Sequence, residues 1–323
     1  VVNVRVKNKR IFKAFGAVLM ALIVASFLWV GPQSVEAAEK ERPIVVGSKI
    51  DTEGALLGNM IVVFLRAKGF KVVDRAQTGT TKVVREALIS GEIDVYPEYT
   101  GNGYFFFSGK TDASIWKDFE KGWETIRDLD KKAHNLVWLR PAPANNTWAI
   151  AMRRDDAEKA NIRTLEDLAS YLKSGGYFKI AASEEFVSSE AALPAFEAGY
   201  GFRLSNEQIV VLSGGNTALT EKAAATRQDG VNAAMAYGTD GQLAALNLVV
   251  LEDTKHIQPV YAPAPVVRQE VLDIYPELKP LLEDLFATLD LETLQTLNGK
   301  IAVDGQDPKK VAQEYLKAKG FLN

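Results

Sequence analysis

"PIVVGSKIDTEGALLGNMIVVFLRAKGFKVVDRA", residues 43–76, decides how this chain folds. Pro43 to Ile50 has the apolar block of a buried strand. Residues 53–68 then place apolar side chains at helical spacing, and Gly69 stops them. "FKVVDRA" is a second strand. Reading outward, Thr80 to Ser90 is a helix closed by Gly91, and "EIDVYPEY" (92–99) is a third strand. This βαβαβ alternation predicts a mostly parallel sheet flanked by helices. A helical stretch near 112–134 leads to the strand "LVWLRP".

The character changes at "PAPANNTWAIAM", where Pro141 and Pro143 break regular structure. A fresh α/β series follows. "TWAIAM", "FKIAAS", "EQIVVLS", "VNAAMAYG" and "LNLVVLED" read as strands. "TLEDLASYLKSGG" reads as a helix with Thr164 as N-cap, Asp167 three residues on, and Gly175-Gly176 at its end. Around 252–260 the chain leaves this second series. "PVYAPAPVV" reads as proline-broken, extended chain, and helical segments follow at 276–289, 290–298 and 307–319. The expected fold class is α/β, with two mixed sheets flanked by helices. The two lobes are hinged by crossover segments near 142–147 and 253–259. The expected division is 41–145 for the first lobe, 146–253 for the second, and 254–323 for the return to the first. Ligands in open α/β sheets bind beyond the carboxyl ends of strands, so the cleft between the lobes is the expected site.

The first 37 residues stand apart. Arg5, Lys7, Lys9, Arg10 and Lys13 precede an apolar run, Ala14 to Val30, and the small-residue stretch Val35-Glu36-Ala37-Ala38 follows. That pattern describes a signal peptide cleaved near Ala37. The alternative is an uncleaved anchor, for which a run of 17 residues is short. Residues 1–37 carry five of the 38 basic residues and one of the 41 acidic ones. The remainder therefore carries 33 against 40, a net charge of −7. That balance argues against nucleic acid as partner. With no cysteine there is no disulfide, no thiolate metal site and no lipidated cysteine. The expectation is an exported monomer free in a periplasm-like space.

Little in the sequence has the look of catalysis. The two histidines, His134 and His256, are isolated from other ligands, and two such residues make no metal site. There is no Gly-x-Ser-x-Gly, phosphate loop or His-Glu-x-x-His. Ser213-Gly214-Gly215-Asn216 would suit an anion at a helix start, but reads more simply as a turn and N-cap. Glu184-Glu185 reads as a solvated pair. No enzyme activity, cofactor or metal is expected. What remains is a set of aromatics at strand ends and crossings: Tyr96, Tyr99, Tyr104, Trp148, Tyr237 and Tyr261. Core packing competes as an account of each. Phe105, Phe106 and Phe107 read as core. Several Tyr and Trp rings in one cleft would form a cage for a cation that has no N–H to donate, quaternary ammonium above all.

The ordered stretches "GSKIDTEGALLGN", "TGTTKVVREALISGEIDVYPEYTGN", "PAPANNTWAIAM", "FVSSEAALPAFEAGYGF", "AYGTDGQL" and "HIQPVYAPAPVV" carry a resemblance. From about 43 to 320 the chain resembles the periplasmic osmoprotectant-binding proteins of ABC importers for glycine betaine, choline and related compounds. The resemblance implies a type II-like periplasmic binding protein that closes on its solute and delivers it to an ABC permease in the inner membrane. It implies a cage of Tyr99, Trp148, Tyr237 and Tyr261 around the ligand's trimethylammonium head, with an indole at 148 where relatives carry a phenol. Lys49 falls near the ligand's anionic end, Asn102 where many relatives have a pocket threonine, Asn146 within a matched motif, and Glu185 immediately before one. One departure stands out. Many glycine-betaine binders carry a carboxylate-binding arginine a few residues past the Glu-Phe of Glu185-Phe186, and here that position falls on Ser189. A guanidinium fork is thereby exchanged for a hydroxyl. The readings left open beside this one are a binder of another small zwitterion (an amino acid or opine), a sensor module without transport, and an exported enzyme on the same fold.

Overall fold

The structure, a computed structural model, describes residues 42–212 and 217–322. The expected signal peptide and the expected turn at 213–216 lie outside the described residues. Ten strands are described, in two five-stranded sheets. The first holds β1 (Ile44–Lys49), β2 (Val72–Gly79), β3 (Val95–Tyr99), β4 (Leu136–Trp138) and β10 (Pro263–Arg268), in the order β2-β1-β3-β10-β4. The second holds β5 (Trp148–Arg153), β6 (Ile180–Ser183), β7 (Ile209–Leu212), β8 (Ala233–Tyr237) and β9 (Leu248–Val250), in the order β7-β6-β8-β5-β9.

The two orders follow one pattern. In the first sheet β1 runs parallel to both β2 and β3, and β10 inserts antiparallel between β3 and β4. In the second, β6 runs parallel to β7 and β8, and β5 inserts antiparallel between β8 and β9. In both sheets the antiparallel insert is the strand that follows a crossing from the other sheet. Its first residue therefore lies beside the last residue of its antiparallel neighbour, β3 or β8, at the edge where ligands bind in such sheets.

Alternation along the strands builds a core on each face. On the first sheet Ile44, Val46, Val95 and Val267 pack with the helix Thr52–Ala67 and the C-terminal helices. Tyr96, Trp138, Ala264 and Val266 pack on the other face with the helices Thr81–Ser90 and Phe119–His134. The helix Thr52–Ala67 is buried from Glu53 to Leu65, which explains its near-continuous apolar sequence. On the second sheet one face carries Ile150, Met152, Ile180 and Met235. The opposite face is alanine: Ala151, Ala181, Ala234 and Ala236 meet Ala223 and Ala224 of the helix Thr217–Thr226. Small side chains on both surfaces bring that helix close to the sheet. Thr220 Oγ1 donates to the Met235 carbonyl at 2.6 Å and fixes its register. The expected Thr164–Asp167 capping box is present on the helix Leu165–Lys173.

Two expectations need correction. "PVYAPAPVV" contains a sheet strand, β10, despite its prolines. Peptide groups point alternately to the two sides of a strand. Pro263 and Pro265 both turn toward the segment after β4, where their carbonyls accept from Ala142 (2.8 Å) and Leu139 (3.0 Å). The donors they lack face that side, so the bonding to β3 survives. The Phe triplet is not uniformly core either. The short helix Gly103–Phe106 rotates successive side chains apart. Phe107 is buried, Phe106 lies beneath the Arg85 guanidinium at 3.8 Å, and Phe105 is 60% exposed and faces the cleft.

Candidate ligand-binding cleft

A cavity of about 900 Å³ lies where the strand ends of the two sheets face each other. Tyr99 ends β3 and Tyr237 ends β8. Trp148 begins β5, and Tyr261 lies on the second crossing, two residues ahead of β10. All four line the cavity. The register explains the convergence: Trp148 stands opposite Tyr237, as Pro263 stands opposite Tyr99. The Trp148 and Tyr237 rings are stacked, 19° from parallel with centroids 6.5 Å apart. Trp148 is braced edge-on by Phe186. Burial holds the Tyr237 and Tyr261 phenols above their ordinary pKa. The Tyr261 ring covers Gly101, where an added Cβ would lie 2.8 Å from a ring carbon.

The crossings are tied together beneath the cage. The Asn146 N–H donates to the Tyr261 carbonyl (3.0 Å), the Tyr261 N–H to Asn145 Oδ1 (2.8 Å), and Thr147 Oγ1 to the Pro259 carbonyl (2.9 Å). Farther along, the helix Leu291–Ala302 touches the second sheet's side of the cleft. Gln295 Nε2 donates to the Gly238 carbonyl at 2.7 Å, and Asn298 Nδ2 to the Thr239 carbonyl at 3.0 Å. Gly241 and Gly299 bring backbones so near that a Cβ on Gly241 would sit 1.9 Å from the Gly299 nitrogen.

Two buried carboxylates organise the first sheet's wall. Glu98 accepts from Tyr96 Oη (2.9 Å), the Tyr99 N–H (2.7 Å) and Asn102 Nδ2 (2.7 Å). It also pairs with Lys49 Nζ at 2.5 Å. That ammonium lies 4.4 Å from the centre of the Tyr99 ring. Lys49 thus reaches the cavity already engaged on both sides. Glu53 accepts from Tyr99 Oη (2.7 Å), Asn298 Nδ2 (2.7 Å) and Asn146 Nδ2 (3.3 Å). Burial outweighs those bonds and lifts its carboxyl to about 7. On the second sheet's wall, Asp240 accepts from the Tyr237 N–H at 2.6 Å and stands against Glu221.

Of the residues expected from sequence, the structure brings Lys49, Tyr99, Asn102, Asn146, Trp148, Glu185, Tyr237 and Tyr261 to the cavity wall. Ser189 is elsewhere. It closes the short helix Glu184–Ser188, its N–H donates to Glu185, and its carbonyl accepts from Ala192. Tyr96 is core, and Tyr104 packs on Phe105 without reaching the wall. Sequence reasoning missed Glu53, Asp240, Glu221 and Asn298. The first two lie inside motifs quoted above, "GSKIDTEGALLGN" and "AYGTDGQL". A carboxylate on the apolar side of a first helical turn is the signal Glu53 offered. Glu221 and Asn298 offered none.

The family model for the substrate binding domain of ABC-type glycine betaine transport systems matches residues 42–318. The chain belongs to that family. It is 55% identical over 299 residues to the glycine betaine-binding protein YehZ of Escherichia coli (strain K12), covering 91% of this chain and 98% of that protein. It is 33% identical to a glycine-betaine-binding protein of Pseudomonas aeruginosa over 86% of this chain and 88% of the relative. The solved structure of apo YehZ superposes with a TM-score of 0.80 at 57% identity, covering 86% of this chain and 99% of that one. The two mixed sheets are therefore the type II periplasmic binding protein fold of the glycine betaine-binding family.

Proposed function

We propose that this chain captures a quaternary ammonium solute, with glycine betaine as the reference ligand, in the cage of Tyr99, Trp148, Tyr237 and Tyr261. It then presents that solute to the permease of an ABC importer. The observation that carries this reading is the stacked Trp148–Tyr237 pair at the cavity, with Tyr261 supplied by the other crossing. A trimethylammonium head has no N–H to satisfy, so ring faces serve it better than carbonyls do. Each ring contributes ~0.5–2 kcal/mol, more where water is excluded. The kinship with glycine betaine-binding relatives supports the same reading.

The cleft explains how capture would be signalled. The cage draws on both sheets and both crossings, so a bound cation joins surfaces that otherwise meet through Gln295, Asn298 and the Gly241–Gly299 approach. Binding energy in the cage favours that closed arrangement, which the permease would recognise. In this account the protein is exported, cleaved near Ala37, and works as a monomer in the periplasm. Intact-mass measurement on a periplasmic fraction tests the cleavage. A thermal-shift panel of betaines, choline, carnitine and amino acids tests the ligand class. A true ligand at a hundredfold excess over Kd should stabilise by ~2.7 kcal/mol. A panel in which amino acids shift the melt and no quaternary ammonium does would overturn the reading.

A further inference from the structure

Glu53 sits where four parts of the cleft meet. It is buried in the first turn of the helix Thr52–Ala67, on the cavity wall. Tyr99 Oη donates to it from the end of β3 (2.7 Å), and Asn146 Nδ2 from the first crossing (3.3 Å). Asn298 Nδ2 donates from the helix Leu291–Ala302 (2.7 Å), and the Thr239 hydroxyl from the segment after β8. One of these donors belongs to a cage ring. Two others, Asn298 and Thr239, also meet each other where that helix touches the second sheet's side of the cleft. Glu53 is thus bonded both to the cage and to the closing contact.

Its surroundings make opposed demands. All four partners donate, which suits a carboxylate. A protonated carboxyl would need the Tyr99 or Thr239 hydroxyl to turn and accept. Yet none of the four is a base. Lys49, the basic side chain on the described cavity wall, lies 4.4 Å from the Tyr99 ring with its charge committed to Glu98. Asp51, at the start of the same helix, adds negative charge. The remaining ionisable groups on the wall are Glu185, Glu221, Asp240 and the Tyr237 and Tyr261 phenols, and none brings a positive charge. Burial without a counter-charge favours the proton, and the donor set favours its loss. The two demands balance near neutrality, with the carboxyl held at about 7.

A cation in the cage shifts that balance. It would rest against the Tyr99 ring, whose hydroxyl ends on Glu53, and supply the positive charge this carboxylate lacks. A phenol that donates to a carboxylate also carries a more electron-rich ring, which attracts a cation more strongly. We propose that Glu53 is a positioning residue that couples the cage to closure: capture of a quaternary ammonium expels its proton, and the resulting carboxylate holds Tyr99 in the cage and Asn298 and Thr239 in the closing contact. This inference rests on the cage reading, because the cage places the cation. The sign follows from linkage. A cation that favours the ionised form is itself favoured by ionisation, by the same factor. Affinity is therefore weakest below about pH 7 and levels off above it.

Calorimetric titration at pH 5 and pH 8 tests it, with tetramethylammonium and glycine betaine, whose own charges do not change over that range. Affinity for both should rise about fivefold or more with pH. Titrations near neutrality in two buffers of different ionisation heat should show proton release. Glu53→Gln should abolish both effects. His134, bonded to Asp130, the exposed His256 and the Glu221–Asp240 pair are the other groups open to titration. A pH dependence or proton release that survives in Glu53→Gln would pass to them and overturn the proposal, as would pH-independent affinity in the parent. Should the variant not fold, carbon-13 NMR of the parent's glutamate carboxyls decides. The signal that titrates near neutrality should move to lower pH on adding tetramethylammonium, and an unmoved signal overturns the proposal. Failure of both probes to bind at either pH would overturn the cage reading and this inference with it.

Discussion

Trp148 and Tyr237 are cross-strand partners in the antiparallel pair β5–β8, and their rings stack 19° from parallel with centroids 6.5 Å apart. One residue opens its strand and the other closes its own. The strand order of the sheet therefore makes them neighbours at the cavity, although 88 positions separate them in sequence.

Removing either ring should weaken quaternary ammonium binding with little effect on folding. Trp148→Ala or Tyr237→Ala is expected to lose roughly 1–3 kcal/mol of affinity, from cation–π attraction and apolar contact together. Calorimetric titration with glycine betaine reads the loss, and circular dichroism melts check the fold. Parent-like binding in both variants would remove these rings from the cage.

Glu53 should give the protein a pH-dependent stability. Its carboxyl is raised from 4.5 to about 7. Between those values the folded state holds the proton more tightly than the unfolded chain does. The contribution is thus fully present below about pH 4.5 and is lost as pH rises through about 7. The loss amounts to roughly 3 kcal/mol, at 1.36 kcal/mol per pKa unit. Urea unfolding between pH 5 and pH 8 should show a shallower decline in Glu53→Gln than in the parent. Equal slopes would show that Glu53 ionises freely in the folded protein.

The approach of Gly241 to Gly299 should be needed for closure. A Cβ at 241 would meet the Gly299 nitrogen at 1.9 Å, and its three nearest contacts are all backbone, so no side chain can swing aside. Gly241→Ala should lower ligand affinity about tenfold or more, since the closed state would carry strain of about 1–3 kcal/mol. Each sheet's own packing should persist in thermal melts. Unchanged affinity would mean that ligand capture does not require this contact.

Breaking the buried Arg85–Asp130 ion pair should be costly. Asp130 takes both Arg85 terminal nitrogens (2.8 and 2.9 Å) and Trp138 Nε1 (2.8 Å), and it is fully buried. Asp130→Ala would leave the Arg85 guanidinium buried and unpaired, at about 3–5 kcal/mol. Urea denaturation measures it. A loss below about 1 kcal/mol would show that Arg85 finds water instead.

The sequence by itself determined the elements and their class. Val and Ile blocks ended by glycine or helix caps marked most of the strands, and 3.6-residue periodicity marked the helices, because both are local consequences of backbone geometry. It also singled out Tyr99, Trp148, Tyr237 and Tyr261, which sit in short motifs at strand ends. Tertiary structure decided the rest. Pro263 and Pro265 could join an interior strand because their missing donors face one side only, a fact of pairing that no local propensity carries. Phe105 left the core because a single helical turn could bury only part of the triplet. Ser189 left the cavity because the short helix before it ends in a turn bonded to Ala192. Glu221 and Asn298 became neighbours of the cage through packing between distant helices and strands. Their burial arises from that packing, since desolvation depends on what surrounds a group in space and not on what precedes it in the chain.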